Sequence, residues 1–186
     1  SLQESIAVKR MTLDTLTGPL ATAAWWMTET LRGGHQILLF GNGGSAAIAD
    51  HTVCDCSKGT HVPGVAPFRT ISLASNVPML TALANDISYD AVFSEQLKYY
   101  MTDKDALLVV SSSGNSPNVV NACEYAKAQG VPTVAFVGFK GGKLAEVADV
   151  TVHIAVDNYG IVEDTHQSLI HMLTQYMKAR SQAAAG

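Results

Sequence analysis

The chain has 186 residues, 47% of them apolar and 15% charged, with a net charge of −4. That length and composition suffice to bury a sizeable core and argue against disorder. The acidic balance offers no electrostatic footprint for nucleic acid, so a bound phosphate has to be held by backbone N–H groups and hydroxyls.

Residues 2–31 read as helical, with apolar positions at Leu2, Ile6, Met11, Leu13, Leu16 and Leu20 and again at Ala23, Trp26, Met27 and Leu31. Gly18-Pro19 predicts a kink or split in that helix. After Gly33-Gly34 the pattern alternates. Strands are predicted over 36–40, 69–73, 106–110, 133–137 and 151–156. Helices are predicted over 45–57, 78–84, 89–101, 117–129 and 161–180. Strands separated by helices imply right-handed crossovers. The expected fold is α/β: a three-layer αβα sandwich around a five-stranded, mostly parallel sheet, flavodoxin-like but nucleotide-free. Residues 1–186 form one domain in this reading, with 1–33 an N-terminal helical segment used in oligomer packing.

Two loops follow predicted strands directly. One is Gly41-Asn42-Gly43-Gly44-Ser45, and the other is Ser111-Ser112-Ser113-Gly114-Asn115-Ser116-Pro117. In an open α/β sheet, ligands bind beyond the carboxyl ends of the strands. Glycines permit close backbone approach, and the N-terminus of a following helix favours an anion. Each loop alone is equally well an ordinary strand–helix turn. Neither is a Walker-type loop, and neither fits a dinucleotide fingerprint. Together they point to a phosphorylated ligand that is not a nucleotide.

His51 and Asp55 fall at i and i+4 on one predicted helix; Glu163, His166 and His171 fall on the last one. Such imidazole–carboxylate sets can hold a divalent metal such as zinc, or serve as acid and base. They can also be ordinary helix-surface groups. Asn85-Asp86 either binds sugar hydroxyls or makes an Asx-turn. Trp25, Trp26 and Met27 read as core or interface. Three cysteines, Cys54, Cys56 and Cys123, without a regular framework argue for a reducing compartment. Charged residues Glu4, Lys9, Arg10 and Asp14 interrupt the first apolar stretch, and no run approaches the ~20 residues of a membrane span. A soluble, cytoplasmic protein that binds neither membrane nor nucleic acid is expected.

The two loops resemble the signature loops of sugar isomerase (SIS) domain proteins. Their order with the N-terminal helix, Asn85-Asp86, Gly141-Gly142 before Leu144-Ala145, and Leu169-Ile170-His171 is similar to the phosphoheptose isomerases. That resemblance implies a homotetramer with zinc in the site, acting on sedoheptulose 7-phosphate. It implies phosphate contacts from Ser45, Ser111, Ser113 and Ser116, and sugar contacts from Asn42, Asp86 and Ser112. It makes His51, Asp55, Glu163 and His171 the metal set, and Asp55, Glu163 and His171 the catalytic set. The chain departs from the family at Asp55, usually Glu, and at Glu163, usually Gln. Gly160 and Ile161 stand where Asp and Arg are common. The mechanism expected is aldose–ketose isomerisation through an enediol. The alternatives are a non-catalytic tetrameric SIS protein that binds a phosphosugar or the replication initiator protein, and a phosphosugar sensor.

Overall fold

The computed structural model describes residues 1–185; Gly186 and the side chains of Leu13, Ala184 and Ala185 lie outside the described residues. Five parallel strands, β1 (Gln36–Phe40), β2 (Arg69–Ser72), β3 (Ala106–Ser111), β4 (Thr133–Val137) and β5 (Val150–His153), stand in the order β2-β1-β3-β4-β5. Every pairing is parallel. The three central strands are buried along their whole length, which is why they read as unbroken apolar runs.

The period-two alternation of a strand divides the core in two. Ile37, Leu39, Leu108 and Phe136 face one side, under α1 (Leu2–Thr15), α2 (Thr17–Arg32), α3 (Gly44–Cys54) and α8 (Tyr159–Ala185). Leu38, Phe40, Leu107 and Val109 face the other, under α4 (Val77–Asp86), α5 (Val92–Tyr100), α6 (Pro117–Ala128) and α7 (Gly142–Val147). The three-layer expectation is met.

Several boundaries differ from the predicted ones. The N-terminal helix breaks at Leu16, ahead of Gly18-Pro19. Pro19 then falls in the first turn of α2, where its missing N–H costs nothing. The helix 45–57 ends as a π-turn over Asp55–Gly59, closed by the bond from Thr60 N to Asp55 O at 2.9 Å. The predicted helix 89–101 is a 3₁₀ turn, Tyr89–Ala91, followed by α5. The short helix α7 was not predicted, because its apolar residues are too few to show a period. Within α2, Met27 is core, Trp26 packs at its edge, and Trp25 is exposed.

Candidate active site

The strand order reverses between β1 and β3, so the crevice at their carboxyl ends is the switch point of the sheet. Both glycine- and serine-rich loops open there. The first leads into α3, with Ser45 N bonded to Asn42 O at 3.0 Å; the second leads into α6, with Pro117 in its first turn. Two helix N-termini therefore face one cleft. The cleft holds about 300 Å³ and is lined by Ser45, Ser111, Ser112, Ser113, Ser116 and Glu163, among others, with no lysine or arginine.

The serine loop is held from behind. Gly138 N donates to Ser112 O at 2.8 Å, and Leu144 N donates to Gly114 O at 2.9 Å. The backbones pass so closely that a Cβ on Gly114 would stand 1.9 Å from Gly141 O. Gly141-Gly142 thus earns its place as a brace for this loop. Within the loop, Ser111 Oγ accepts from Gly114 N and Ser113 Oγ from Asn115 N. Ser112 Oγ is buried with no hydrogen-bond partner. An orphaned buried hydroxyl calls for an explanation, and a ligand acceptor in the cleft supplies one.

Other predicted residues are placed differently. The Asn42 amide exchanges two hydrogen bonds with Asn118, at 2.9 and 3.0 Å, and its Oδ1 also accepts from the Tyr89 hydroxyl. Asn42 lines the cleft but its side chain is already engaged. Asp86 lies at the end of α4, accepts from Asn85 Nδ2 at 2.8 Å, and does not line the cleft. Asn118 and Tyr89 were not predicted; neither belongs to a recognisable local motif.

A second cluster lies where α3 and its π-turn meet α8. His51 Nε2 is 3.1 Å from His171 Nε2, and Asp55 Oδ2 is 3.5 Å from both. Among the described residues these three form a group able to hold a metal ion. Donors at about 2.0–2.1 Å from a tetrahedral ion stand roughly 3.3 Å apart, so the spacing fits zinc. Gln167 Nε2 also lies 2.8 Å from His171 Nε2. One ring nitrogen cannot serve His51, Asp55 and Gln167 at once, which again suits a shared cation or a mobile proton. Asp55 is placed by the last turn of α3, its N–H still bonding His51 O, and the π-turn, a distortion often found at functional sites, begins there. The signal for Gln167 was available: it sits at i−4 from His171, on the same helix face.

Glu163 is not in that group. Its carboxylate packs on Gly44, where a Cβ would stand 2.5 Å from Oε2, and it lines the serine cleft. His166 faces the core, fully buried, bonding Val137 O at 3.1 Å and packing edge-on against Phe136. Burial pushes its pKa down to about 4, against a partial rise from that hydrogen bond. Burial, with Asp55 alongside, pushes the Cys56 thiol up to about 12.

The site is thus a pair of glycine- and serine-rich loops at the switch point of a parallel α/β sheet, with a His-Asp-His cluster on the same two helices, α3 with its π-turn and α8. The SIS domain profile matches residues 2–138, and the chain belongs to the SIS domain family. Its relatives include the phosphoheptose isomerase of Rhodospirillum rubrum, 36% identical over 83% of this chain and 81% of that protein. The structure of phosphoheptose isomerase from Neisseria gonorrhoeae superposes with a TM-score of 0.89 at 30% identity, covering 96% of this chain and 95% of that one. That of a phosphoheptose isomerase from Francisella tularensis gives 0.90 at 28% identity, over 96% and 94%.

Proposed function

We infer that the protein is an aldose–ketose isomerase converting sedoheptulose 7-phosphate to D-glycero-D-manno-heptose 7-phosphate. The observation that carries this reading is the convergence of His51, Asp55 and His171 beside the serine-lined cleft. Relatives named phosphoheptose isomerase, matched over most of both chains, give the substrate class.

In this reading the phosphate sits on Ser45, Ser111, Ser113 and Ser116, and Ser112 and Asn42 meet the ligand beside it. Asp86, at the end of α4, is assigned to the sugar by the resemblance alone. Asp55 takes a proton from C1 of the ketose as the C2 carbonyl oxygen gains one, giving an enediol. The O1 proton then leaves, replacing the one given to O2, and His171 returns a proton to C2 and regains one from Asp55, 3.5 Å away, so the balance is an exchange of carbonyl and hydroxyl with both groups restored. Glu163 supplies a second carboxylate at the cleft, accepting from substrate hydroxyls. His51, Asp55 and His171 would hold zinc, with Glu163 reaching it only by leaving Gly44. Such an ion supplies Lewis-acid polarisation of the substrate oxygens.

The protein is proposed to work as a cytoplasmic homotetramer. Leu2, Ile6, Met11 and Trp25 remain exposed on α1 and α2, which supports use of residues 1–33 in packing between copies. Cys54, Cys56 and Cys123 are all free thiols, as a reducing compartment allows. Among the described residues, no helix is long and apolar enough to cross a membrane.

The test is a mass-resolved isomerisation assay on sedoheptulose 7-phosphate after chelation, with and without added zinc. Turnover restored by zinc supports the enzyme and its ligand set. Retained phosphosugar binding without turnover in either condition would favour the non-catalytic SIS protein.

A further inference from the structure

Tyr159 is the first residue of α8 and lines the serine cleft, yet its ring remains 58% exposed. It rests on Phe139, with ring centroids 4.7 Å apart and planes inclined at 58°. Phe139 is the one non-glycine with positive φ among the described residues, at +47°. An aromatic side chain avoids that region, and a residue kept there needs surroundings that hold it.

Those surroundings are visible. His153 Nε2 donates to Phe139 O at 2.9 Å, and Phe139 N donates to Val156 O at 3.3 Å. Gly138, the preceding residue, is the one that braces Ser112. The loop therefore fixes the serine side of the cleft and, one residue later, turns an aromatic ring outward beneath Tyr159. A glycine at 139 would remove the strain and lose only the ring. The cleft has no cation, and its remaining lining is hydroxyl, backbone and carboxylate. An aromatic face is what that polar set lacks for gripping the C–H side of a sugar chain.

We propose that Tyr159, backed by Phe139, is a specificity-determining residue: its exposed ring is the platform in the serine cleft against which the C–H face of the bound phosphosugar lies. This rests on the reading that the cleft takes a phosphosugar. Phe139 acts through Tyr159 and is a positioning residue.

The experiment compares calorimetric binding of sedoheptulose 7-phosphate and of inorganic phosphate to the full chain and to Tyr159→Ala, Tyr159→Phe and Phe139→Gly. Tyr159→Ala is expected to weaken the phosphosugar about 10-fold and to leave inorganic phosphate within about 2-fold. Tyr159→Phe keeps the platform and both affinities. Phe139→Gly removes the support beneath Tyr159 and weakens the phosphosugar while leaving inorganic phosphate within about 2-fold, a split that a merely structural role would not produce. Equal loss of both ligands in Tyr159→Ala, or loss of neither, overturns the proposal. So does a wild-type protein that binds the phosphosugar no better than phosphate. Turnover is read separately: tight phosphosugar binding without it sinks the isomerase reading alone.

Discussion

The two ends of the site are made of different material. The anion end consists of backbone and buried hydroxyls at the ends of β1 and β3, anchored in the sheet and braced by a third loop. The reacting end consists of three side chains on partly exposed helix faces, brought together only because α3 packs against α8. The backbone of the first cannot change without disturbing the fold. The side chains of the second can change and leave the sheet intact.

The largest effect should come from cutting the reacting end. His171→Ala removes the imidazole that meets both His51 and Asp55. Turnover of sedoheptulose 7-phosphate should fall by about 10²–10⁴-fold. Affinity for inorganic phosphate should stay within about 2-fold, because none of the phosphate-side residues touches this ring. Parallel loss of phosphate binding would mean that the two ends are not separable.

The reverse cut is Gly114→Ala. It places a Cβ against Gly141 O, on a residue whose φ is +64°. Left-handed strain and a backbone collision together should cost on the order of 3 kcal/mol. For a chain of this size that is a fall of roughly 6–12 °C in unfolding temperature. Phosphate binding should be lost while the His-Asp-His cluster keeps its zinc affinity, read by metal titration of the folded variant below its transition.

This contrast also explains what the sequence revealed. The sheet was legible because its buried central strands are mostly continuous apolar runs, and the serine and glycine loops because their composition is local. The reacting end was legible only as separate sets: His51 with Asp55 on one helix, and His171 with Glu163 and His166 on another. Glu163 and His171 share a helix, but eight residues of α8 carry one to the serine cleft and the other to the cluster. Helix crossing decides that, and no single-sequence period encodes it. His166, between them in sequence, turned out to be core for the same reason.

His166 therefore offers a test of the fold without the site. The unfolded chain binds this proton below about pH 6.5, the folded chain only below about pH 4. Stability is lost as pH falls through that window, by about 3 kcal/mol in all. His166→Leu should flatten this part of the profile when urea unfolding is compared at pH 7 and pH 4.5. Catalysis at pH 7 should change little, since the ring touches Val137 and Phe136 and none of the reacting groups. An unchanged profile would mean that the ring is already solvated in the native state.

The smallest effect sharpens the comparison most, because its two readouts should move in opposite directions. Ser112 Oγ is buried without a partner in the ligand-free protein. Removing such a group ends a desolvation cost, so Ser112→Ala should be neutral or up to about 1 kcal/mol more stable. A hydrogen bond to a charged ligand is worth about 1.5–3 kcal/mol, so phosphate should bind about 10-fold more weakly or worse. Ser111→Ala lacks this signature, because Ser111 Oγ already accepts from Gly114 N and its loss should lower stability as well. If both variants lose stability together, the unpaired hydroxyl is part of the scaffold; if only Ser112→Ala separates folding from binding, that oxygen is kept for the ligand.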